Sequence, residues 1–418
     1  MHSASGLAFN LLIPVVPIKE LMPDEFDNLL TELLAESPEQ TARRIKEAYE
    51  SATSPATGKV VIFGAGQLGR FLLPALRSAG LEPLAFCDNN ARRWGTEIEG
   101  VPVLSPAQAL ERYGGSASFV VGIYNGTPVC RQLRELGCQH IVRYPLLFWR
   151  YGAFIPDGGL ATPRRILDQA AEMRPAYELL ADEESRQEFR AQIRWRCLLD
   201  YDCLPRPHPP AETYFAPDLL RLSPDEVFVD CGAFDGDTIR TYLAKTGDSF
   251  GHIYAFEPDP ANLRELHSYI ATLSPGIAAR ISVLPYAIGR QDGIALFKAE
   301  GSMGSKVVDS GGTVQIECRS LDSAFTEDVS PTFIKMDIEG AEIDAVPGAE
   351  KIIARCRPVI AACAYHRPEH LWELPKLLKA ASPTYRIYLR RYAEECWETV
   401  YYAIPPERLR GTATGVMN

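Results

Sequence analysis

The sequence predicts an α/β protein with two Rossmann-like domains, and three observations lead to this prediction. First, apolar runs that end in glycine or an acid alternate with amphipathic helical segments over residues 58–150, which is typical of a parallel sheet. Second, the same alternation returns over residues 223–405. Third, this second region ends in two strand-like segments, TYRIYLRRY and WETVYYAI, whose short separation favours an antiparallel hairpin.

The remaining segments lack this alternation. Near the amino terminus Phe26, Leu30 and Leu33 recur at helical spacing, and amphipathic helical patterns without strands separate the two α/β regions. The length of 418 residues also favours more than one domain. We therefore predict a helical segment at 1–57, a Rossmann-like nucleotide-binding domain at 58–150, a helical linker at 151–222, a second α/β domain at 223–405 and a tail at 406–418.

Composition and charge argue against several classes of protein. A net charge of −11 disfavours nucleic acid or an anionic membrane as partner, because both are bound by basic surfaces. The 10 cysteines form no C-x-x-C pair and several lie in apolar runs, so we expect buried free thiols. The apolar stretch near the amino terminus is too short to cross a bilayer and lacks a cleavage site, so we expect a cytoplasmic protein.

The first α/β unit contains a dinucleotide-binding pattern. GKVVIFGAG is a strand that enters a glycine turn, with Gly64, Gly66 and Gly69 in G-x-G-x-x-G spacing, and Asp88 ends the next strand. The segment around Asp88 resembles the nucleotide-binding domain at the start of some sugar acetyltransferases, which implies a nucleotide-sugar site. NAD binding and a purely structural domain remain the alternatives.

The second α/β unit contains two acidic strand ends. VFVDCGAFDGD begins at residue 227, and IYAFEPD begins at residue 253. Glycines let a backbone approach a nucleoside, and an acid at the next strand end suits ribose hydroxyls. Asp230, Asp235 and Asp237 make the first loop acidic, which disfavours phosphates. The positive charges of S-adenosylmethionine (SAM) suit it better, so the pattern favours methyl transfer.

Six motifs in this unit, in order, resemble the FkbM family of SAM-dependent methyltransferases. They are VFVDCGAFDGDT, IYAFEPDPANL, VLPYAIG, GSMGS, RSLD and FIKMDIEGAE, within residues 225–350. The resemblance implies a class I SAM methyltransferase sheet that ends in the antiparallel hairpin. It also implies that SAM is the cofactor, and that a hydroxyl on a sugar, a glycan precursor or another small molecule accepts the methyl group.

The resemblance also assigns the cofactor residues. Glu257 is expected to hold the ribose hydroxyls, because two hydroxyls suit a bidentate carboxylate. Ala287 is expected to line the adenine pocket, beside Pro258 and Asp259. The first loop is expected to surround the methionine half of SAM through Asp230, Gly232, Ala233, Phe234, Asp235, Gly236 and Asp237.

Three residues at later strand ends are candidates for catalysis. Asp337 and Glu339 follow the strand in FIKMDIEGAE, and His366 ends PVIAACAYH. Removal of a hydroxyl proton needs a base, and a histidine with a pKa near 6.5 can serve, with Asp337 as the other candidate. We predict no metal centre, although a divalent ion bound by these three residues is an alternative.

Another class of function also fits this sequence. In that alternative, the first domain binds a nucleotide sugar or NAD, and the second binds SAM in a regulatory role without catalysis. The two hypotheses differ in whether S-adenosylhomocysteine (SAH) is formed when candidate acceptors are supplied.

Overall fold

The protein has a mixed α/β fold, as expected from the sequence. The computed structural model describes residues 25–53, 58–151, 160–298, 306–307, 312 and 314–410. These residues form three sheets of six, four and seven strands. The GSMGS motif, the first part of the predicted N-terminal helical segment and most of the predicted tail lie outside the described residues.

Two helices precede the first sheet, α1 (Glu25–Ala35) and α2 (Pro38–Ala52). Ser37 begins α2 with a capping box, in which its hydroxyl and the Gln40 side chain each bond the other's backbone N–H. Phe26 on α1 is buried, and its ring stacks on Tyr177 at a centroid distance of 4.4 Å. The first helix is therefore held by packing on the helical region that follows the first sheet.

The first sheet has the strand order β3-β4-β2-β1-β5-β6 and is parallel except for the β3–β4 pair. Its strands are β1 (Val60–Phe63), β2 (Pro83–Cys87), β3 (Glu97–Ile98), β4 (Val101–Leu104), β5 (Ser118–Val121) and β6 (Ile141–Arg143). Its helices are α3 (Gln67–Ser78), α4 (Pro106–Tyr113), α5 (Thr127–Glu135) and α6 (Tyr144–Tyr151). The order of the strands reverses between β1 and β5, and ligands of open α/β sheets bind at such a point.

Three helices follow, α7 (Pro163–Leu167), α8 (Ala170–Glu178) and α9 (Glu183–Leu198). Their apolar faces join the larger core of the seven-stranded sheet. Polar contacts add to this packing: the Ser185 hydroxyl accepts a hydrogen bond from the Leu389 N–H at 2.9 Å, and Glu188 pairs with Arg391 at 2.8 Å. This helical region is thus packed on the second α/β unit.

The remaining strands divide between two sheets. They are β7 (Val227–Cys231), β8 (His252–Phe256), β9 (Ile281–Leu284), β10 (Ala287–Ile288), β11 (Gly293–Lys298), β12 (Lys306–Val307), β13 (Val314–Arg319), β14 (Phe333–Met336), β15 (Val359–Cys363), β16 (Arg386–Arg391) and β17 (Thr399–Ile404). The helices are α10 (Asp237–Thr246), α11 (Pro260–Ile270), α12 (Pro275–Ala278), α13 (Leu321–Ala324), α14 (Glu342–Ala345), α15 (Glu350–Cys356) and α16 (His370–Ala381).

The seven-stranded sheet has the order β16-β17-β15-β14-β7-β8-β9. Strands β15, β14, β7, β8 and β9 pair in parallel, whereas β17 runs antiparallel to both β15 and β16. After β9 the chain crosses to the other side of β7 and forms β14. The carboxyl ends of β7, β8 and β14 therefore meet at a point where the strand order reverses, which positions a binding site.

The apolar pattern of RISVLPYAIG predicts one strand, but this segment forms two. It forms β9 in the seven-stranded sheet and β10 in the four-stranded sheet, whose order is β10-β13-β11-β12. Pro285 lies between the two strands and cannot donate a ladder hydrogen bond, which explains the break. The segment IALFKAE also has the pattern of a strand, and its described residues belong to β11 of this smaller sheet rather than to the main sheet.

Two expectations about the whole chain can be compared with the described residues. No helix among them is long and apolar enough to cross a membrane. The ten cysteines are all free, and seven of them are buried, in agreement with the prediction of buried thiols.

Candidate active site

A cavity of about 280 Å³ lies at the carboxyl ends of β7, β8 and β14. It reaches from the loop after β7, past the end of β8, to the loop after β14. Eight residues expected to bind cofactor or to act in catalysis line it: Gly232, Phe234, Asp237, Glu257, Pro258, Ala287, Asp337 and Glu339. The fold therefore brings together strand ends that are up to about 100 residues apart in the sequence.

The loop after β7 is shaped by close backbone contacts. Gly232 has φ of 80°, and a Cβ at this position would lie 1.9 Å from the carbonyl oxygen of Asp337. Phe234 also has a positive φ, 48°, which a bulky residue adopts only where its surroundings enforce it. Its N–H donates to Oε2 of Glu257 at 2.9 Å. The loop is thus fixed against both β14 and the end of β8.

Glu257 is nearly buried at the end of β8. Its Oε1 accepts the N–H of Asp259 at 2.8 Å and the side-chain amide of Asn262 at 3.4 Å, while Oε2 accepts the N–H of Phe234. Burial raises the pKa of Glu257, and these hydrogen bonds oppose the shift. Each carboxylate oxygen has two lone pairs, so Oε2, which accepts one hydrogen bond, can still accept another from a hydroxyl in the cavity.

Asp230 does not line the cavity but supports the loop from below. Its Oδ1 lies 2.9 Å from Nζ of Lys335 on β14, and both side chains are almost fully buried. Lys335 also donates to the carbonyl oxygen of Gly232 at 2.7 Å. Burial raises the pKa of Asp230 to about 6, although the lysine charge opposes this. The pair joins β7 to β14 beneath the cavity.

Four other residues expected at the cofactor lie outside the lining. Asp259 is the N-cap of α11 and accepts the N–H of Ala261 at 2.7 Å, so its carboxylate serves the helix. Asp235 pairs with Arg240 at 2.6 Å. Ala233 is fully buried, and Gly236 has φ of 89° at the start of α10. These residues shape the loop rather than face the cavity.

Asp337 lies in the cavity wall and has three polar side chains around its carboxylate. Its Oδ2 accepts from the Tyr214 hydroxyl at 2.6 Å, and its Oδ1 accepts from the Tyr365 hydroxyl at 3.3 Å. Nε2 of His366 lies 3.2 Å from Oδ1. Burial would raise the pKa of Asp337, but its contact with His366 and the charge of Lys335 hold this pKa well below the usual range. Such a carboxylate is a weak base.

His366 lies behind Asp337, and it does not line the cavity. Its Nδ1 lies 2.8 Å from Oε1 of Glu342, and Nε2 lies 3.7 Å from Oε1 of Glu339. Burial would lower the pKa of His366, but the surrounding carboxylates raise it well above 6.5. The expectation of a histidine near its unperturbed pKa is therefore not met, because the sequence did not reveal three acids around one ring.

Glu339 and Gly340 form a tight turn after β14. Glu339 has φ of 55° and Gly340 has φ of 103°. Left-handed conformations at non-glycine residues cost free energy and concentrate at functional sites. The turn places the Glu339 side chain at the cavity wall, whereas the N-cap of α14 is Ala341. Glu339 is therefore a residue of the cavity wall and not the cap of α14.

The cavity also contains residues that the sequence did not single out, among them Tyr214, Lys335, Tyr365 and Glu398. Glu398 lies in the loop between β16 and β17, has φ of 52° and is partly buried. Burial, followed by the nearby charge of Asp337, raises the pKa of Glu398 to about 7. Tyr365 precedes His366 and Lys335 lies within FIKMDIEGAE, whereas no local pattern marks Tyr214 or Glu398.

The glycine turn of the first sheet contains one glycine with a positive φ and one close contact between two glycines. Gly64 has φ of 109°, and a Cβ on Gly69 would lie 1.7 Å from the carbonyl oxygen of Gly64. Gly66 is the N-cap of α3 and provides no side-chain cap. Asp88 is already engaged: its Oδ2 accepts the N–H of Ala65 at 2.7 Å and pairs with Arg93 at 3.0 Å.

The parallel-dominated sheet and the acidic cavity at its carboxyl edge define a Rossmann-like α/β protein. Residues 230–387 match the model of the methyltransferase FkbM domain. This match spans less than half of the chain, and it contains most of the cavity residues named above. No curated protein matches the chain.

The chain is also similar to solved structures. Methyltransferase FkbM from Methylobacillus flagellatus KT has 24% sequence identity and a TM-score of 0.67, with 91% of this chain and 98% of that chain covered. This similarity shows a shared fold over nearly the whole length. Two other solved structures align less well. UDP-D-quinovosamine 4-dehydrogenase from Vibrio fischeri has 23% identity and a TM-score of 0.18, with 21% of this chain and 76% of that chain covered. Precorrin-6y C5,15-methyltransferase from Geobacter metallireducens GS-15 has 15% identity and a TM-score of 0.28, with 44% of this chain and 83% of that chain covered.

Proposed function

We propose that this protein is a SAM-dependent methyltransferase that acts on a hydroxyl of a sugar, a glycan precursor or another small molecule. The observation that carries the proposal is the single cavity in which the glycine loop after β7 and Glu257 meet Asp337 and Glu339. The match of residues 230–387 to the FkbM methyltransferase domain supports the same reaction class.

The residues present fit SAM. Glu257 would hold the ribose hydroxyls, with Pro258 and Ala287 beside the adenine, and the loop at Gly232 and Phe234 would contact the methionine half. The wall at that end carries Asp237 and Asp337, and a carboxylate-rich surface favours the sulfonium and ammonium charges. SAM would supply an electrophilic methyl group.

The protein's own contribution is to position the acceptor and to remove its proton. A general base works best when its pKa lies near the working pH, and Glu398, with a pKa of about 7, meets this condition better than Asp337. The acceptor oxygen would form the new bond to carbon while the carbon–sulfur bond breaks and its electron pair stays on sulfur. The hydroxyl proton would pass to Glu398.

The test is calorimetry of SAM and SAH binding to the wild type and to Glu257→Ala. We expect saturable binding to the wild type and a loss of at least tenfold in affinity in the variant, because the variant removes the ribose partner. Glu265→Ala is the matched control, since this exposed glutamate lies on α11 near the cavity but outside its lining.

Two results would count against the proposal. If neither SAM nor SAH bound the wild type, the methyltransferase function would be rejected and the regulatory alternative with it. If both ligands bound but no candidate hydroxyl acceptor gave SAH, the non-catalytic SAM-binding alternative would be favoured.

A second proposal concerns the first sheet, where we infer a site for a nucleotide sugar, with NAD as the alternative. The uncapped N-terminus of α3 at Gly66 suits a phosphate, and Asp88 ends the adjacent strand. A ribose would have to displace Arg93 from Asp88. We expect a nucleoside diphosphate sugar to raise the melting temperature of the wild type and not of Asp88→Asn. Equal shifts in both proteins, or none in either, would refute this site.

A further inference from the structure

Three side chains converge at the end of the cavity formed by β14 and β15. Asp337, Glu339 and His366 each present one ligand atom, and these atoms all lie within 4.8 Å of one another. Nε2 of His366 is 3.2 Å from Oδ1 of Asp337 and 3.7 Å from Oε1 of Glu339. Both carboxylates line the cavity, so the cluster is open to solvent and to an acceptor.

The orientation of His366 is set by a buried carboxylate. Glu342 is fully buried, and its Oε1 lies 2.8 Å from Nδ1 of the ring, so that Nε2 must face Asp337 and Glu339. Metal-binding histidines almost always donate their other N–H to a carboxylate or carbonyl, which fixes the ring in this way. The carboxylate–histidine pair behind the cluster therefore matches the usual support of a metal ligand.

The Nε2 atom supplies a second, independent indication. It is buried, and within the described part of the chain it forms no well-directed hydrogen bond, although it points toward two carboxylates. Its side chain is 7% exposed, so bulk water is not its partner. A histidine ligates a metal only in its neutral form, so a cation held by all three groups would take the place of the Nε2 proton.

The charge around the cluster favours a cation. Asp237 and Glu398 also line the cavity, and Lys335 is held by Asp230 at 2.9 Å. The raised pKa of Glu398, about 7, reflects burial first and then the negative charge of Asp337. Two carboxylates and one imidazole, with room for water and substrate oxygens, suit magnesium or manganese better than a soft metal.

We propose that Asp337, Glu339 and His366 bind a divalent cation of the magnesium–manganese class at the acceptor end of the cavity. The site itself does not depend on the proposed function, but its role in catalysis rests on it. A bound divalent cation would orient an acceptor hydroxyl and lower that hydroxyl's pKa, which makes proton transfer to Glu398 easier. The substrate class favoured is therefore one with neighbouring oxygens that can chelate, such as a sugar diol.

The test is manganese binding to the full chain, measured by calorimetry and by electron paramagnetic resonance. We expect one saturable site in the wild type. Glu339→Gln removes one ligand charge at a partly exposed position and should weaken binding at least tenfold. Glu342→Gln alters the partner of the His366 ring without removing a cation ligand and should cost about 10- to 100-fold. Glu350→Gln, an exposed residue on α15, removes the same charge elsewhere and should bind like the wild type.

The outcomes separate this inference from the proposed function. Absence of manganese binding to the wild type, or equal affinity in all three variants, would overturn the cation site, whatever happens with SAM. Manganese binding that depends on Glu339 and Glu342 supports the site even if neither SAM nor SAH binds. If SAH binds and manganese does not, the methyltransferase proposal stands and the cation site fails. Melting curves of each variant show whether it is folded.

Discussion

Gly232→Ala tests whether the cofactor loop and β14 depend on one close backbone contact. The new Cβ would lie 1.9 Å from the carbonyl oxygen of Asp337, an atom that cannot move without shifting β14. Forcing such an overlap costs about 1–3 kcal/mol. The φ of 80° adds about 1–2 kcal/mol for an L-residue. We therefore expect the free energy of unfolding to fall by about 2–5 kcal/mol.

The assay combines urea denaturation with calorimetry of SAH binding. The shift of the loop or of Asp337 should also weaken SAH binding, because both walls of the cavity meet at this contact. Gly276→Ala is the control: this glycine lies in α12, has no atom within 4 Å of an added Cβ, and has no positive φ. It should not lose stability, since alanine favours a helix. A Gly232→Ala protein as stable as this control, with unchanged SAH affinity, would refute the reasoning.

Three further substitutions have expected outcomes. Glu398→Gln should lower turnover and abolish the rise of kcat/KM with pH near 7, because the carboxyl must lose its proton to act as a base. An unchanged pH profile would exclude Glu398 as the base. Lys335→Met should cost about 3–5 kcal/mol in urea denaturation by leaving Asp230 buried and unpaired, and adding Asp230→Asn should recover part of the loss. Asp259→Ala should cost about 1 kcal/mol in the same measurement through loss of the α11 cap; no loss would contradict the capping role.

The raised pKa of Glu398 also has a consequence for stability. A carboxyl with a pKa of about 7 in the folded state and 4.5 in its unperturbed state stabilises the fold at low pH, and this contribution is lost as the pH rises through 7. Glu398→Gln should remove that dependence. The melting temperature of the Glu398→Gln protein should therefore exceed that of the wild type by more at pH 8 than at pH 5.

The sequence was most informative where a strand end and a glycine turn are adjacent in the chain. Gly232, Phe234 and Glu257 were predictable because an apolar run followed by glycine or an acid is a local pattern. The same reasoning located Asp337 and Glu339 at the cavity. It failed to separate Asp230 from the lining, because whether an acid faces a ligand or a buried lysine depends on the residue opposite it in the next strand.

Other parts of the site depend on contacts distant in sequence. Glu398 lies in an irregular loop with no motif, and its pKa follows from burial and from Asp337, about 60 residues earlier. His366 has the right position for a base by its strand end, but Glu342 and Asp337 on either side of the ring change its protonation. Electrostatic environments of this kind are set by three-dimensional proximity, which spacing along the chain does not encode.

The loop between β16 and β17, which carries Glu398, also contacts the first α/β unit. Glu395 in this loop accepts the N–H of Thr127 at 2.8 Å and pairs with Arg143 at 2.7 Å, at the edge of the first sheet. Trp397 packs in the same interface and is nearly buried. The first α/β unit therefore restrains the backbone directly before Glu398. Through this restraint the first unit contributes to the structure of the cavity. Ordering an irregular loop costs conformational entropy, and the contacts of this loop with both α/β units offset that cost. They also explain how Glu398 can be held in a strained backbone conformation.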